Sequence, residues 1–136
     1  SNSSVLINND KNLIFEGYLS LENNGGFASS RLNISEKDLI GVKSFEIRLR
    51  GDGKNYKLRL RQNNRRASYS CNFKSQKDKW ITVNLPLEKF RATWRGFTYQ
   101  NYPDLDLEKV NSLSLQISDK QEGDFSLEIK YIKANY

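Results

Sequence analysis

The sequence contains no histidine, no methionine, one cysteine and two prolines in 136 residues. Because histidine is the usual general base near neutral pH, its absence excludes hydrolases whose serine or cysteine nucleophile needs a histidine partner. A lone cysteine permits neither an internal disulfide nor a cysteine-based zinc site. The alternating residues around Cys71 predict a small buried side chain there.

Long apolar runs are also absent. No stretch approaches the ~18 apolar residues of a membrane-spanning helix, and the first residues do not resemble a signal peptide. The chain is therefore expected to be soluble. With 37% hydrophobic and 12% aromatic residues, residues 1–136 are expected to form a single domain. Because methionine is missing, we expect the natural start to lie upstream.

Apolar and polar residues alternate along much of the chain, which is the period of a β-strand. Residues 45–61 alternate on both sides of Gly51-Asp52-Gly53 and predict a β-hairpin that turns there. Further strands are predicted at residues 12–22, 67–73, 80–85, 111–118 and 124–133. Single helical turns are predicted at residues 35–41 and 105–110. The pattern predicts an all-β fold, an antiparallel β-sandwich or jelly roll.

The pair Gly25-Gly26 raises the question of a phosphate-binding loop. Such a loop needs a helix directly after it, so that the helix amides point at the anion. Here the following residues, FASSRL, continue as a strand. The two glycines are therefore predicted to form a hairpin turn.

The net charge of +6 is concentrated between Phe45 and Arg66, where eight basic residues stand against two acidic ones. The rest of the chain is neutral. A hairpin would place the basic residues of both its strands on one side, opposite the apolar set. The members of this predicted basic sheet face are Arg48, Arg50, Lys57, Arg59 and Arg61.

Two interpretations of that predicted face stay open. Carboxylates on neighbouring strands, such as Glu16 or Glu128, would make it a solvated, salt-bridged surface. Otherwise it binds an anionic partner such as an acidic protein surface. Nucleic acid has little support, because Tyr56 and Tyr69 are predicted to point to the core instead of standing among the arginines.

Residues 86–105 form a stretch longer than a plain connector, which predicts a surface loop with its own packing or a function. Its aromatic and basic side chains include Trp94, Tyr99, Tyr102, Arg91 and Arg95. They either form an aromatic platform for a sugar ring or a protein, or close the end of the sandwich.

Two acidic sets are candidate sites for a hard cation. They are Asp104, Asp106 and Glu108, and separately Asp119, Glu122 and Asp124. Neither set has the spacing of a known calcium loop, and acidic turns are common. Both are predicted to be solvated loop charge, and no metal site is predicted.

Four segments, FEGYLSLENNGGFASSR, LRGDGKNYKLRLR, WITVNLPLEKFRATWRG and GDFSLEIKYIKA, occur in an order and spacing that resembles the complex I intermediate-associated protein 30 family. The resemblance implies a galactose-binding-domain-like jelly roll, similar to certain carbohydrate-binding modules, and a non-enzymatic binding or assembly role. Carried over by position, it adds Arg31 and Arg95 as contact residues. It brings no catalytic set.

By this resemblance the chain begins after the first segment of the family pattern, so the domain is expected to lack its N-terminal segment. A missing strand would leave an open sheet edge, and a homodimer through that edge is a further hypothesis. The resemblance implies a bacterial cytoplasm or a mitochondrial matrix as the compartment.

The sequence thus predicts a non-enzymatic module, assembly-factor or chaperone-like, that binds an acidic protein through the basic sheet face and the 86–105 loop. By resemblance, that protein is a respiratory-complex assembly intermediate. The alternative is a carbohydrate-binding module in which Trp94 and nearby tyrosines stack on a sugar. No cofactor is predicted. The predicted binding residues are Arg31, Arg48, Arg50, Lys57, Arg59, Arg61, Trp94, Arg95 and Tyr99.

Overall fold

A computed structural model describes residues 3–19, 28–33, 39–62, 64–94, 97–117 and 123–136, with side chains before residue 39 described only at 14–16. Strands occupy most of these ranges. In chain order they are β1 (Ser3–Leu19), β2 (Ala28–Asn33), β3 (Ser44–Arg50), β4 (Asn55–Gln62), β5 (Ser68–Lys74), β6 (Trp80–Pro86), β7 (Arg91–Trp94), β8 (Phe97–Thr98), β9 (Val110–Ile117) and β10 (Gly123–Asn135). The all-β prediction is confirmed.

Two short 3₁₀ helices, Leu87–Lys89 and Leu107–Lys109, complete the regular structure that is described. The second confirms the helical turn predicted at 105–110. Of the turn predicted at 35–41, residues 35–38 lie outside the described residues. Among the described helices, none has the length and apolar character to cross a membrane.

The strands pair antiparallel in two sheets. A four-stranded sheet has the order β1-β10-β3-β6, and a six-stranded sheet has the order β2-β9-β4-β5-β7-β8. Their inner sides share one core. Phe15 of β1, for example, contacts the ring of Tyr56 in β4, with the centroids 6.3 Å apart. The β-sandwich prediction is confirmed.

The period of two explains which side chains fill that core. In β4, Tyr56, Leu58 and Leu60 are fully buried while the residues between them are not. Burying each large apolar side chain contributes about 1.5–3 kcal/mol to folding. Cys71 is buried in the same layer, as predicted, and burial raises the pKa of its thiol.

The hairpin predicted at Gly51-Asp52-Gly53 is wrong. β3 and β4 lie in different sheets, so the connection between them crosses from one layer of the sandwich to the other. The hairpin predicted at Gly25-Gly26 fails in the same way, since β1 and β2 also lie in different sheets; the two glycines themselves lie outside the described residues. Alternation alone does not distinguish a hairpin from a crossover, because both join two alternating segments through a tight turn.

The carboxylate of Asp52 fixes the crossover between β3 and β4. Its Oδ1 accepts hydrogen bonds from the Lys54 amide (2.9 Å) and the Tyr56 hydroxyl (3.0 Å). Its Oδ2 accepts a hydrogen bond from the Ser126 amide of β10 over 2.9 Å. Because β4 and β10 belong to different sheets, this one side chain connects both layers.

Gly51 permits a close approach at the same crossover. A Cβ at this position would lie 2.2 Å from the Cβ of Ser75, which is fully buried. Of the two glycines at this crossover, only Gly53 has a positive φ, at 90°. Gly51 is needed for space instead.

We expect Gly51→Ala to lower the free energy of unfolding by about 2–3 kcal/mol, because the added methyl overlaps a backbone-anchored side chain. In a Ser75→Gly background, the added effect should fall below about 1 kcal/mol. Urea denaturation of the wild type, the two single variants and the double variant measures both values. Equal effects of Gly51→Ala in the two backgrounds would contradict the steric explanation.

Tyr56 gives the fold a pH dependence. Burial, followed by the charge of Asp52, holds the pKa of this phenol far above its usual value. The hydroxyl therefore stays neutral in the folded state and ionises on unfolding, so its contribution is complete below about pH 10 and declines above it. We expect wild-type stability to fall more steeply than that of Tyr56→Phe above pH 10, by about 1.4 kcal/mol per pH unit. Parallel urea titrations between about pH 8 and pH 11.5 measure the stability of both proteins. Equal slopes of the free energy of unfolding against pH would refute this prediction.

Candidate functional site

The basic residues predicted to share one sheet face lie on two opposite outer sides of the sandwich. Arg48 and Arg50 belong to β3 of the four-stranded sheet, whereas Lys57, Arg59 and Arg61 belong to β4 of the six-stranded sheet. The prediction of a single five-member face is therefore wrong, because it depended on the hairpin. The outward side of the four-stranded sheet is called the balanced face below, and that of the six-stranded sheet the basic face.

On the balanced face, both arginines of β3 have partners within the protein. Nη2 of Arg50 lies 2.7 Å from Oε1 of Glu128, and the Arg50 guanidinium lies 5.2 Å from the ring centroid of Trp80. Arg48 donates from Nη1 to the hydroxyl of Thr82 over 3.2 Å. On this side, neighbouring groups offset the positive charge, as the first interpretation expected.

A second acidic residue, Glu46, strengthens that balance. It accepts a hydrogen bond of 2.7 Å from the Tyr131 hydroxyl, and this bond raises the pKa of the phenol. Glu46 also pairs in register with Lys133 of β10. Both signs of charge therefore alternate along this sheet.

The basic face has β4 near its centre, with Lys57, Arg59 and Arg61 on the outward side. Arg59 donates from Nε to the Ser114 hydroxyl (3.3 Å) and from Nη1 to the Gln116 side-chain oxygen (3.0 Å). Both acceptors are neutral. They orient the guanidinium.

Neighbouring strands add mostly small polar residues to the basic face. The register places on this side, besides β4, the described residues Ser68, Ser70, Asn72, Lys74, Arg91, Thr93, Ser112, Ser114 and Gln116. None of these positions, and no outward position of β4, holds Asp or Glu. The described part of the basic face thus carries one sign of charge, in contrast to the balanced face.

The 86–105 segment is ordered by two short strands. β7 pairs with β5 and β8 pairs with β7, so this segment extends the six-stranded sheet to its edge. The residues that follow β8 are held by Arg65, whose Nη1 donates to the carbonyl oxygens of Pro103 and Asp104 and to the Tyr69 hydroxyl. The prediction of a loop is wrong where β7, β8 and the first 3₁₀ helix lie, but the prediction that the segment has its own packing is confirmed.

Aromatic rings in this segment form a continuous row. Tyr69 contacts Tyr102, Tyr102 contacts Tyr99 with 4.6 Å between centroids, and Tyr99 contacts Phe97. The row begins in the core, where Tyr69 is 4% exposed, and ends at Phe97, which is 60% exposed. One end of the row closes the sandwich, as the second alternative expected, and the other end reaches the surface.

Trp94 does not belong to this row. The guanidinium of Arg66 lies 5.0 Å from its ring centroid instead. Of the remaining predicted contact residues, Arg31 lies in β2, where it pairs with Ser114, but its side chain is outside the described residues. Arg95 lies outside them altogether.

The structure describes only part of the two acidic sets considered as cation sites. Asp106 of the first set caps the second 3₁₀ helix by accepting a hydrogen bond from the Glu108 amide over 3.0 Å. Asp119 and Glu122 lie outside the described residues. Within the part that is described, no three Asp, Glu, His or Cys side chains come together as a metal site.

Sequence reasoning missed two residues that shape this region, Gln62 and Arg65. Gln62 is fully buried, and its side-chain oxygen accepts a hydrogen bond from the Asp106 amide over 2.8 Å. The alternation of buried positions in β4 continues through residue 62, so a polar residue there was a usable signal. Arg65 lies outside any alternating segment, and no pattern marks it.

Comparison with known proteins agrees with the fold and with the order of the segments. The sequence pattern of the complex I intermediate-associated protein 30 (CIA30) family matches residues 1–129. The chain belongs to the CIA30 family. A curated member, "Complex I intermediate-associated protein 30, mitochondrial" from Mus musculus, is 32% identical over 93 residues, which cover 63% of this chain and 28% of the mouse protein. This CIA30 chain thus matches less than a third of the length of that assembly factor.

Solved structures similar to this CIA30 chain include two carbohydrate-binding modules. A family 11 module from Clostridium thermocellum, in complex with a β-1,3-1,4-mixed-linked tetrasaccharide, has a TM-score of 0.63 at 13% identity, covering 98% of this chain and 87% of the module. A family 30 module has a TM-score of 0.63 at 12% identity, covering 99% and 83%. At these identities the likeness shows the fold alone. It confirms the galactose-binding-domain-like jelly roll.

We expect Arg65→Ala to lower the free energy of unfolding by about 2 kcal/mol, because it removes the donor shared by Tyr69 and two carbonyls. Amide hydrogen exchange should accelerate selectively in residues 99–106. The adjacent Arg66→Ala, which loses one contact with Trp94, should cost under about 1 kcal/mol and leave exchange there unchanged. Equal effects of the two variants would contradict the assigned role of Arg65.

Proposed function

We propose that this CIA30 chain is a non-enzymatic binding module that recognises an acidic protein surface through its basic face and the adjoining 86–105 segment. The single-signed charge of the basic face carries this proposal. Membership of an assembly-factor family, which is generally non-catalytic, supports it. The name of the mouse relative points to an assembly intermediate of respiratory complex I as the partner.

The physical argument concerns how charge is held on a rigid sheet. Arg61 and Lys74 are exposed on strands whose inward sides are locked in the core. The backbone that carries these groups needs no ordering on binding, and their charge attracts an approaching anion. Asn72 is exposed beside them and adds hydrogen-bonding capacity. The serines on this side are buried, namely Ser68, Ser70, Ser112 and Ser114.

The 86–105 segment extends the basic face at the edge of its sheet. Arg91 and Thr93 lie on the outward side of β7, and Thr98 of β8 pairs with Thr93 on the same side. Phe97 pairs with Trp94 on the other side of this edge, so it is not part of the proposed contact region. Arg31 of β2 stays a predicted contact residue at the opposite edge of the same sheet.

A pair of charge-reversed variants tests the proposal. Arg61→Glu with Lys74→Glu changes the basic face, and Arg48→Glu with Lys130→Glu makes the same change in net charge on the other sheet. Binding to a purified complex I assembly intermediate, measured at ~0.05 M and ~0.5 M salt, should fall more than about tenfold for the first variant only. Wild-type binding should weaken as salt rises.

Thermal unfolding monitored by circular dichroism provides the control that both variants are folded. Similar losses in the two variants would show that net charge, and not the basic face, governs binding. Undiminished binding by the Arg61 and Lys74 variant would remove the basic face from the mechanism.

A further inference from the structure

A cleft of about 670 Å³ lies where the 86–105 segment meets the start of β3 and the end of β6. Its aromatic lining consists of Tyr69, Phe90, Tyr99 and Tyr102. A volume of this size accommodates a small organic ligand or a few sugar rings. The cleft is separate from the centre of the basic face, where Ser114 and Gln116 accept hydrogen bonds from Arg59.

The walls of the cleft are fixed by backbone hydrogen bonds. On one side, the Leu87 amide donates to the Lys43 carbonyl over 2.9 Å. On the other, the Tyr99 amide donates to the Ala92 carbonyl over 3.0 Å, and Arg65 holds the carbonyls of residues 103 and 104. A site built in advance requires little ordering when a ligand binds.

The three tyrosines of the cleft differ in how their hydroxyls are used. Tyr69 donates to the Pro103 carbonyl over 2.6 Å, and the Tyr102 hydroxyl accepts a bond from the Ala67 amide. The Tyr99 hydroxyl has no hydrogen-bond partner among the described residues. Its ring is half-buried and leans on that of Tyr102, with an interplanar angle of 39°. Tyr99 thus combines a supported ring with an available hydroxyl.

The charged side chains that line the cleft cancel in number. Lys43 and Arg91 are basic, and Glu88 and Asp104 are acidic. A strongly charged ligand would therefore meet as much repulsion as attraction. A neutral sugar suits this lining better, because its C–H faces pack on aromatic rings while its hydroxyls bond to charged and amide groups.

We propose that this cleft binds a neutral oligosaccharide, with Tyr99 stacking on one sugar ring and Glu88 and Asp104 accepting hydrogen bonds from its hydroxyls. The proposal does not rest on the protein-binding function, since it concerns a different class of ligand, although both use the 86–105 segment. Of the aromatic residues predicted to contact a sugar, the proposal retains Tyr99 and leaves out Trp94, which does not line the cleft.

Titrations followed by ¹⁵N NMR test this site with three probes, cellotetraose, a mixed-linked β-1,3-1,4-glucotetraose and agarotetraose, each at up to ~10 mM. We expect at least one probe to shift the amide signals of Tyr99, Gln100 and Tyr102. Raising salt from ~0.05 M to ~0.5 M should change its affinity by less than about twofold, because the charges of the cleft cancel.

Tyr99→Ala should weaken that affinity about tenfold, whereas Trp94→Ala should change it less than about twofold. Tyr99→Phe, which retains the ring and the packing of the segment, should retain most of the binding and guards against a folding defect. The proposal is overturned if none of the three probes shifts these amides. It is equally overturned if Tyr99→Ala binds as wild type, or if the Arg61 and Lys74 variant loses the binding instead.

Discussion

The carboxylate of Asp52 accepts hydrogen bonds from the Tyr56 hydroxyl of one sheet and from the Ser126 amide of the other. Leaving such buried or half-buried donors without an acceptor would cost about 1–3 kcal/mol each. The contact therefore holds the chain at the point where it passes between layers. Because β3 and β4 are directed into different sheets there, the same contact decides which basic residues lie on which side of the molecule.

Because β3 and β4 lie in different sheets, the two outer sides of the sandwich have different properties, although the sequences of these two strands are similar. Both β3 and β4 alternate apolar with charged residues, yet β3 lies beside the carboxylates of Glu46 and Glu128, while β4 lies beside serines and Gln116. Exposed charges that are paired in this way contribute little to stability. On the six-stranded sheet, whose described outward strand positions hold no carboxylate, the proposed function assigns the charge to recognition.

The sequence predicted the strands well because each buried position is recorded locally in the period of two. Phe45, Ile47 and Leu49 are an example, and all three are fully buried. It did not predict the partners of each strand, because the same turn residues serve a hairpin and a crossover. The difference depends on the bond from Ser126, a residue 74 positions away from Asp52. The contacts of Arg65 could not be predicted for a related reason. Two of its acceptors are backbone carbonyls, which leave no trace in the side-chain pattern.

The position of β10 between β1 and β3 has a consequence for how the protein is made. β10 is the last strand in the chain, and both of its neighbours in the four-stranded sheet precede it. During synthesis, β1 and β3 therefore have no strand to pair with on their shared side until β10 has been made. Such long-range pairing slows folding and leaves strand edges uncovered in the meantime.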